Sequence, residues 1–136
     1  VPRDPPAVNV VDPAALLNRA KDNSREDTRP DPETLRRGWQ KTVLFAFFLQ
    51  PNCVNFDIKD APGFLVWREG WQESFEAICE KLLVPPIVQI LCFSKGRSVV
   101  KKWAQKVLGW DFVRVVPCHL EAPIPARPRD VRAALS

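Results

Sequence analysis

Hydrophobic positions along the chain fall into short periodic segments separated by proline. Leu16, Leu17 and Ala20 mark a narrow apolar face, and Asp12-Pro13 supplies an N-cap followed by proline at the first helical position. This predicts a helix through about Lys21. The run DNSREDTRPD, Asp22 to Asp31, is almost wholly polar and predicts a mobile loop. Asp31-Pro32 repeats the start signal, with Glu33 in the first turn where a carboxylate complements the helix dipole. The helix it opens should be the longest of the chain. Leu35, Trp39, Val43, Ala46 and Leu49 or Gln50 keep helical spacing, and Phe45, Phe47 and Phe48 make its second half apolar nearly all round. Such a helix must be enclosed on every face by its own domain or by a partner, so Phe45, Phe47 and Phe48 are interface candidates.

Pro51 ends that helix, and the alternation of Val54, Phe56 and Ile58 allows a short strand or an extended loop. From Glu69 or Gly70, GWQESFEAICEKLL predicts an amphipathic helix that buries Trp71, Phe75, Ile78, Cys79 and Leu82 and stops at Pro85-Pro86. In Ile87 to Phe93 the β-branched residues favour a strand, whereas Pro86 at a first-turn position favours a short helix, and the balance tips to helix. Ser98 should cap a further helix through about Leu108. Val99 or Val100, Trp103, Val107 and Leu108 would face inward, and Lys101, Lys102, Gln105 and Lys106 outward, with Gly109 as the stop. Phe112, Val113, Val115 and Val116 around Arg114 predict a strand buried on at least one side. After Pro117 coil is expected, with a helical turn or two in Pro128 to Leu135. The resulting organisation is an extended arm with one short helix and a polar loop over 1–33, a globular helix and strand domain over 34–122, and a Pro-rich tail over 123–136.

Composition adjusts this picture in a few places. The 136 residues are 46% hydrophobic, with five Trp and eight Phe, which suffices for the core of one domain. Fourteen Pro against five Gly imply extended connectors between short helices. The net charge of +4 is unevenly placed, since Ser94 to Arg132 holds nine Lys or Arg against three acids. That asymmetry fits either an anionic partner, with Lys95, Arg97, Lys101, Lys102 and Lys106 as its patch, or a solvated helix face. No basic cluster is interleaved with stacking aromatics and no zinc-finger, KH or RRM signature occurs, so nucleic acid is not an expected partner. Cys53, Cys79, Cys92 and Cys118 lack C-x-x-C spacing and read as small buried hydrophobes in a reducing compartment. No apolar run approaches the roughly 18–20 residues that span a bilayer, so no transmembrane segment is expected. The chain begins at Val1 without Met and shows no signal or transit segment, as in a processed product or a part of a longer one.

Candidate chemistry is sparse because His119 is the only histidine. A catalytic zinc takes three protein ligands and an open position, and here Cys118, Asp111 and Glu121 would have to complete the set. Adjacent residues on a strand point to opposite faces, so Cys118 and His119 would not converge while the strand stays extended. No metal or other cofactor is expected. His119 is the one residue that could act as a ligand, and a ring bonded to backbone beside the strand end is the simpler role. There is no nucleophile elbow and no phosphate-cradling glycine loop. Glu69, Glu73, Glu76 and Glu80 lie at helical spacing, which gathers carboxylates but more simply makes a solvated face. Trp39, Trp71 and Trp103 occupy helix faces and are expected in the core, whereas Trp67 and Trp110 lie in connectors and are interface candidates.

VPRDPP at the start, RRGWQKTVLFAFF in the long helix, VPPIVQILCFSKG, and the closing order of Gly-Trp-Asp-Phe, apolar strand and Pro-Cys-His carry a resemblance over nearly the whole chain. It resembles the later half of an uncharacterised domain family, widespread in photosynthetic lineages, that is related to the metallo-β-lactamase fold. The resemblance implies an α+β, helix-rich chain forming an incomplete half of an αββα unit, with Pro-rich extended arms. The histidine-rich metal loop of such proteins has no counterpart here, since no H-x-H-x-D-H stretch exists, and His119 stands where the last histidine ligand would be. A half unit leaves its long apolar helix partly uncovered. The expected function is therefore a non-catalytic accessory subunit contacting protein subunits of a larger assembly, with both Pro-rich arms draped over neighbours. The resemblance implies a plastid setting, peripheral to a thylakoid photosynthetic membrane complex. The alternatives are a fragment of a metallo-β-lactamase-like hydrolase whose metal half is absent, and an anion-binding adaptor.

Overall fold

The computed structural model describes residues 1–6, 12–47, 52–57, 64–117, 120 and 122–135. The fold is α+β and about half helical, with two short two-stranded antiparallel sheets among the described residues. The chain divides into two compact units, Pro2–Cys79 and Glu80–Ser136, the latter joined by Val1, whose carbonyl accepts from Glu80 N at 2.8 Å.

In the first unit, α1 spans Pro13–Ala20 and α2 spans Pro32–Phe47. Both begin at the Asp-Pro signals. The Asp12 carboxylate accepts from Ala14 N at 3.0 Å, and Asp31 accepts from Thr34 N at 2.8 Å and from the Thr34 hydroxyl at 2.9 Å. Strands β1 (Val54–Asp57) and β2 (Phe64–Trp67) pair antiparallel with Val54 opposite Trp67 and Phe56 opposite Leu65. The expected short strand is β1, and the second strand puts Trp67 in a sheet where a connector was expected. Helix α3, Trp71–Glu76, is shorter than the amphipathic pattern suggested. Its chain leaves the helix through turns that reach Glu80 at φ 55°, a left-handed conformation incompatible with continuing the helix. Leu16, Ala20, Trp39, Val43, Leu44, Leu65, Trp67, Trp71, Phe75 and Ile78 form the core of this unit.

Two expectations for this unit are corrected. The polar run after α1 is pinned rather than loose: Thr28 Oγ1 donates to Leu17 O at 3.2 Å, Arg37 pairs with Glu26 at 2.6 Å, and Trp67 N donates to Asp22 O at 3.0 Å. Asp22, Glu26 and Thr28 thus find partners on α1, α2 and β2, while Asn23, Arg25, Asp27 and Arg29 stay exposed. Pro2, Arg3 and Asp4 of the N-terminal arm likewise find partners within this unit. Trp39 Nε1 donates to Pro2 O at 3.2 Å, Arg3 pairs with Glu76 at 2.5 Å, and Arg36 pairs with Asp4.

In the second unit, α4 (Pro86–Leu91) runs into one 3-10 turn at Phe93–Gly96 and then α5 (Arg97–Leu108), so Ile87 to Leu91 is helical as the balance of signals suggested. Gly96, not Ser98, is the N-cap of α5, and no side chain caps it. Strands β3 (Arg114–Val115) and β4 (Ile124–Pro125) pair antiparallel, and α6 spans Pro128–Ala134 with Arg127 N donating to Asp130 Oδ2 at 2.8 Å. The strand expected over Phe112 to Val116 is only two residues long, and Val113 and Val116 are exposed instead of buried. A two-residue ladder presents too little surface to cover both of its flanks.

Candidate interaction surface

The most enclosed charged constellation lies in the first unit, and its geometry is that of a fastener. Lys41, on α2, has no solvent-exposed surface. Its ammonium donates to Ala20 O at 2.6 Å, Lys21 O at 3.0 Å and Asp22 Oδ1 at 2.5 Å, which uses all three protons. Ala20 ends α1, so the cation meets the orphan carbonyls and the negative dipole end of that helix. The rings of Trp67 and Trp71 stand 5.3 and 5.2 Å from Nζ and meet each other edge to face at 5.7 Å. Burial pushes the Lys41 pKa below its ordinary value, and Asp22 opposes the shift without cancelling it. A lysine whose three donors are all engaged has no lone pair directed at a substrate, so the arrangement locks α1, α2 and β2 together. Sequence reading missed it; the only signal was a second cation one turn after Arg37, beside the apolar stripe of α2.

The second unit is built the other way round. Among its described residues Ala126 alone is a buried hydrophobe, while Ile90, Leu91, Val99, Trp103, Trp110, Val113, Val116 and Leu120 are exposed. Every large exposed hydrophobe of the described residues falls in this one unit. Trp103, expected in the core, is 52% exposed, and Trp110, expected at an interface, is 56% exposed. The reason for Trp103 is its position on α5. Val100, Ala104, Val107 and Leu108 form the inward stripe, and Val99 and Trp103 lie one after the other, four residues apart, along the outer edge. Lys102 and Lys106 repeat the same spacing beside them and are exposed, as are Lys95, Arg97 and Lys101. Between Glu80 and Ser136 there are ten Lys or Arg against four acids, so the uncovered apolar side chains sit in a positive field.

The remaining candidate residues divide as follows. Trp67, expected as an interface residue, is 6% exposed and packs on Trp71 and Lys41. Phe45 is half-buried beneath the Arg19 guanidinium, 5.3 Å from its ring centroid. The Phe47 side chain, Phe48, Cys118, His119 and Glu121 lie outside the described residues. Cys53 and Cys79 are buried thiols and Cys92 is exposed. Glu69, Glu73, Glu76 and Glu80 are all exposed, and Glu76 is paired with Arg3. Among the described residues no three His, Cys, Asp or Glu side chains gather to hold a metal ion, and no helix is long and apolar enough to cross a membrane.

Comparison with curated proteins and with solved structures finds no match to the chain. A family model does match, over residues 1–136, and it describes a domain of unknown function. The chain belongs to that uncharacterised family, DUF4336.

Proposed function

We propose that this chain is a non-catalytic interaction subunit of a larger assembly, and that the second unit is its docking element. The observation that carries this reading is the contrast between the units: the first buries Trp39, Trp67, Trp71 and Phe75, whereas the second, among its described residues, leaves eight large hydrophobes exposed over a nearly absent core. Uncovered apolar surface of this kind is stable in water only at a cost, which a partner removes. Charge selects that partner. Lys102 and Lys106 flank Val99 and Trp103 on α5, and no acid occurs between Arg97 and Leu108, so the fitting surface is a protein face with an apolar centre and an acidic rim.

The setting we propose, peripheral to a plastid photosynthetic membrane complex, rests on the resemblance of the quoted motifs. So does the relation to the later half of a metallo-β-lactamase-like αββα unit. Cross-linking of the chain in its native extract tests the reading. Lys102 and Lys106 should cross-link to one stoichiometric protein, and Trp103→Glu should abolish those links while the chain stays folded. Recovery of the chain alone and monomeric overturns the proposal. Stoichiometric zinc or iron that is lost on His119→Ala overturns it in favour of the hydrolase fragment.

A further inference from the structure

The second unit contains a cavity of about 400 Å³ between α5, the 3-10 turn and the end of α6. Its walls are of two kinds. Phe93, Val100, Ala104 and Leu135 supply an apolar side, and Arg97 and Lys101, one turn apart on α5, supply a cationic side. Two further polar side chains line it but are committed to backbone: Gln89 Nε2 donates to Val84 O at 3.1 Å, and the Ser94 hydroxyl donates to Ile90 O. Arg97 and Lys101 are not so committed, and among the described residues no acid pairs with either. Both cations reach solvent, but like charges four residues apart on a helix repel, and an anion between them relieves that repulsion.

The geometry points to a binding site for a small amphiphilic anion, a single carboxylate head on an unbranched acyl tail. The head would bridge the Arg97 guanidinium and the Lys101 ammonium, and the tail would lie against Phe93, Val100, Ala104 and Leu135. Charge-assisted bonds to a carboxylate are the strong class of hydrogen bond, and Arg presents paired donors in the plane that a carboxylate needs. The volume falls in the range of small-ligand pockets. This site is separate in kind from the docking surface, because it needs no partner protein and is testable on the isolated full chain.

Titration with decanoate, decan-1-ol, inorganic phosphate and phosphatidylglycerol vesicles tests it, read by calorimetry and by chemical-shift changes at residues 93–104. Decanoate should saturate at one site per chain. Arg97→Glu should weaken it by about tenfold or more, the scale of one charge-assisted bond. Ala104→Phe should weaken it comparably by filling the apolar side while leaving both cations. Arg97→Glu also places an acid in the first turn of α5, which favours the helix, so lost binding would not be lost folding. No saturable decanoate binding overturns the proposal. Equal affinity for decanol removes the cationic half of the argument, equal affinity for phosphate removes the apolar half, and binding to vesicles but not to decanoate makes the contact a surface one; each overturns the site.

Discussion

Gly38 of α2 lies directly against the main-chain carbonyl of Leu16 in α1: a Cβ built on it would stand 2.1 Å from that oxygen and 2.8 Å from its carbon. Atoms of a helix backbone cannot rotate aside as a side chain can, so any side chain at this position must push the two helices apart. Helical propensity alone would favour Ala over Gly by about 1 kcal/mol. The crossing reverses that preference. Gly38→Ala should destabilise the chain by about 1–3 kcal/mol, in the range of overpacking at a close contact. Urea unfolding monitored by tryptophan fluorescence measures it, and a neutral or stabilising alanine would contradict the close approach.

Lys41→Met keeps the length of the side chain but strands the carbonyls of Ala20 and Lys21 and the carboxylate of Asp22. A loss of about 2–4 kcal/mol is expected, smaller than for a fully enclosed pair because Asp22 reaches solvent. The pH dependence is the sharper signature. With its folded pKa below the unfolded value of 10.5, Lys41 binds fewer protons in the folded than in the unfolded chain between those two values. The folded state therefore gains stability as pH rises through that window, and the burial penalty is complete below the folded pKa. Subtracting the stability curve of Lys41→Met from that of the unsubstituted chain should leave a component rising toward pH 10.5. A flat difference would show that Lys41 is not shifted.

The two Asp-Pro helix starts were legible because a cap is local chemistry, complete within four residues: the carboxylates of Asp12 and Asp31 bond to the backbone of Ala14 and Thr34. The Lys41 fastener was not, because it draws on α1, α2, β2 and α3, and no short window contains Asp22, Lys41, Trp67 and Trp71 together. The polar run from Asp22 looked loose for the same reason, since composition records that side chains are polar but not that Glu26 and Thr28 meet Arg37 and Leu17. For α5 the periodicity correctly separated the lysines from Val100, Val107 and Leu108. It also placed Trp103 inward, and that failed: whether a residue at the margin of the stripe finds a neighbour depends on elements farther along the chain, and β3, β4 and α6 are all short.

Asp31 caps α2 with both of its oxygens, and the Thr34 N–H followed by the Thr34 hydroxyl holds its carboxyl below the ordinary value of 3.8. The stability this contributes is complete above pH 3.8 and disappears as pH falls through the lower folded pKa. Asp31→Asn retains an oxygen for the Thr34 N–H but cannot titrate. It should therefore fold with little loss near neutrality and show a shallower acid-unfolding curve, whereas Asp31→Ala should be weakened at every pH. Circular dichroism of the three chains from neutral to acid pH distinguishes them, and identical acid limbs for Asp and Asn would contradict the shift.

Trp103 and Trp71 should respond oppositely to the same substitution. Trp71 is buried against Trp67, Lys41 and the core of the first unit, so Trp71→Ser should cost about 3–5 kcal/mol. Trp103 stands half in solvent on α5, and Trp103→Ser in the isolated chain should change stability by no more than about 0.5 kcal/mol. Iodide should quench Trp103 and Trp110 in the folded chain and leave Trp39, Trp67 and Trp71 shielded until unfolding. In the native assembly the ranking should invert at Trp103. A large aromatic side chain covered by a partner is the kind of residue that dominates docking energy, so Trp103→Ser should weaken assembly by about 2 kcal/mol or more while the free chain remains as stable as before. A Trp103 that proves as costly as Trp71 in the isolated chain would place it in the core, and a Trp103 that stays open to iodide in the assembly would remove it from the docking surface.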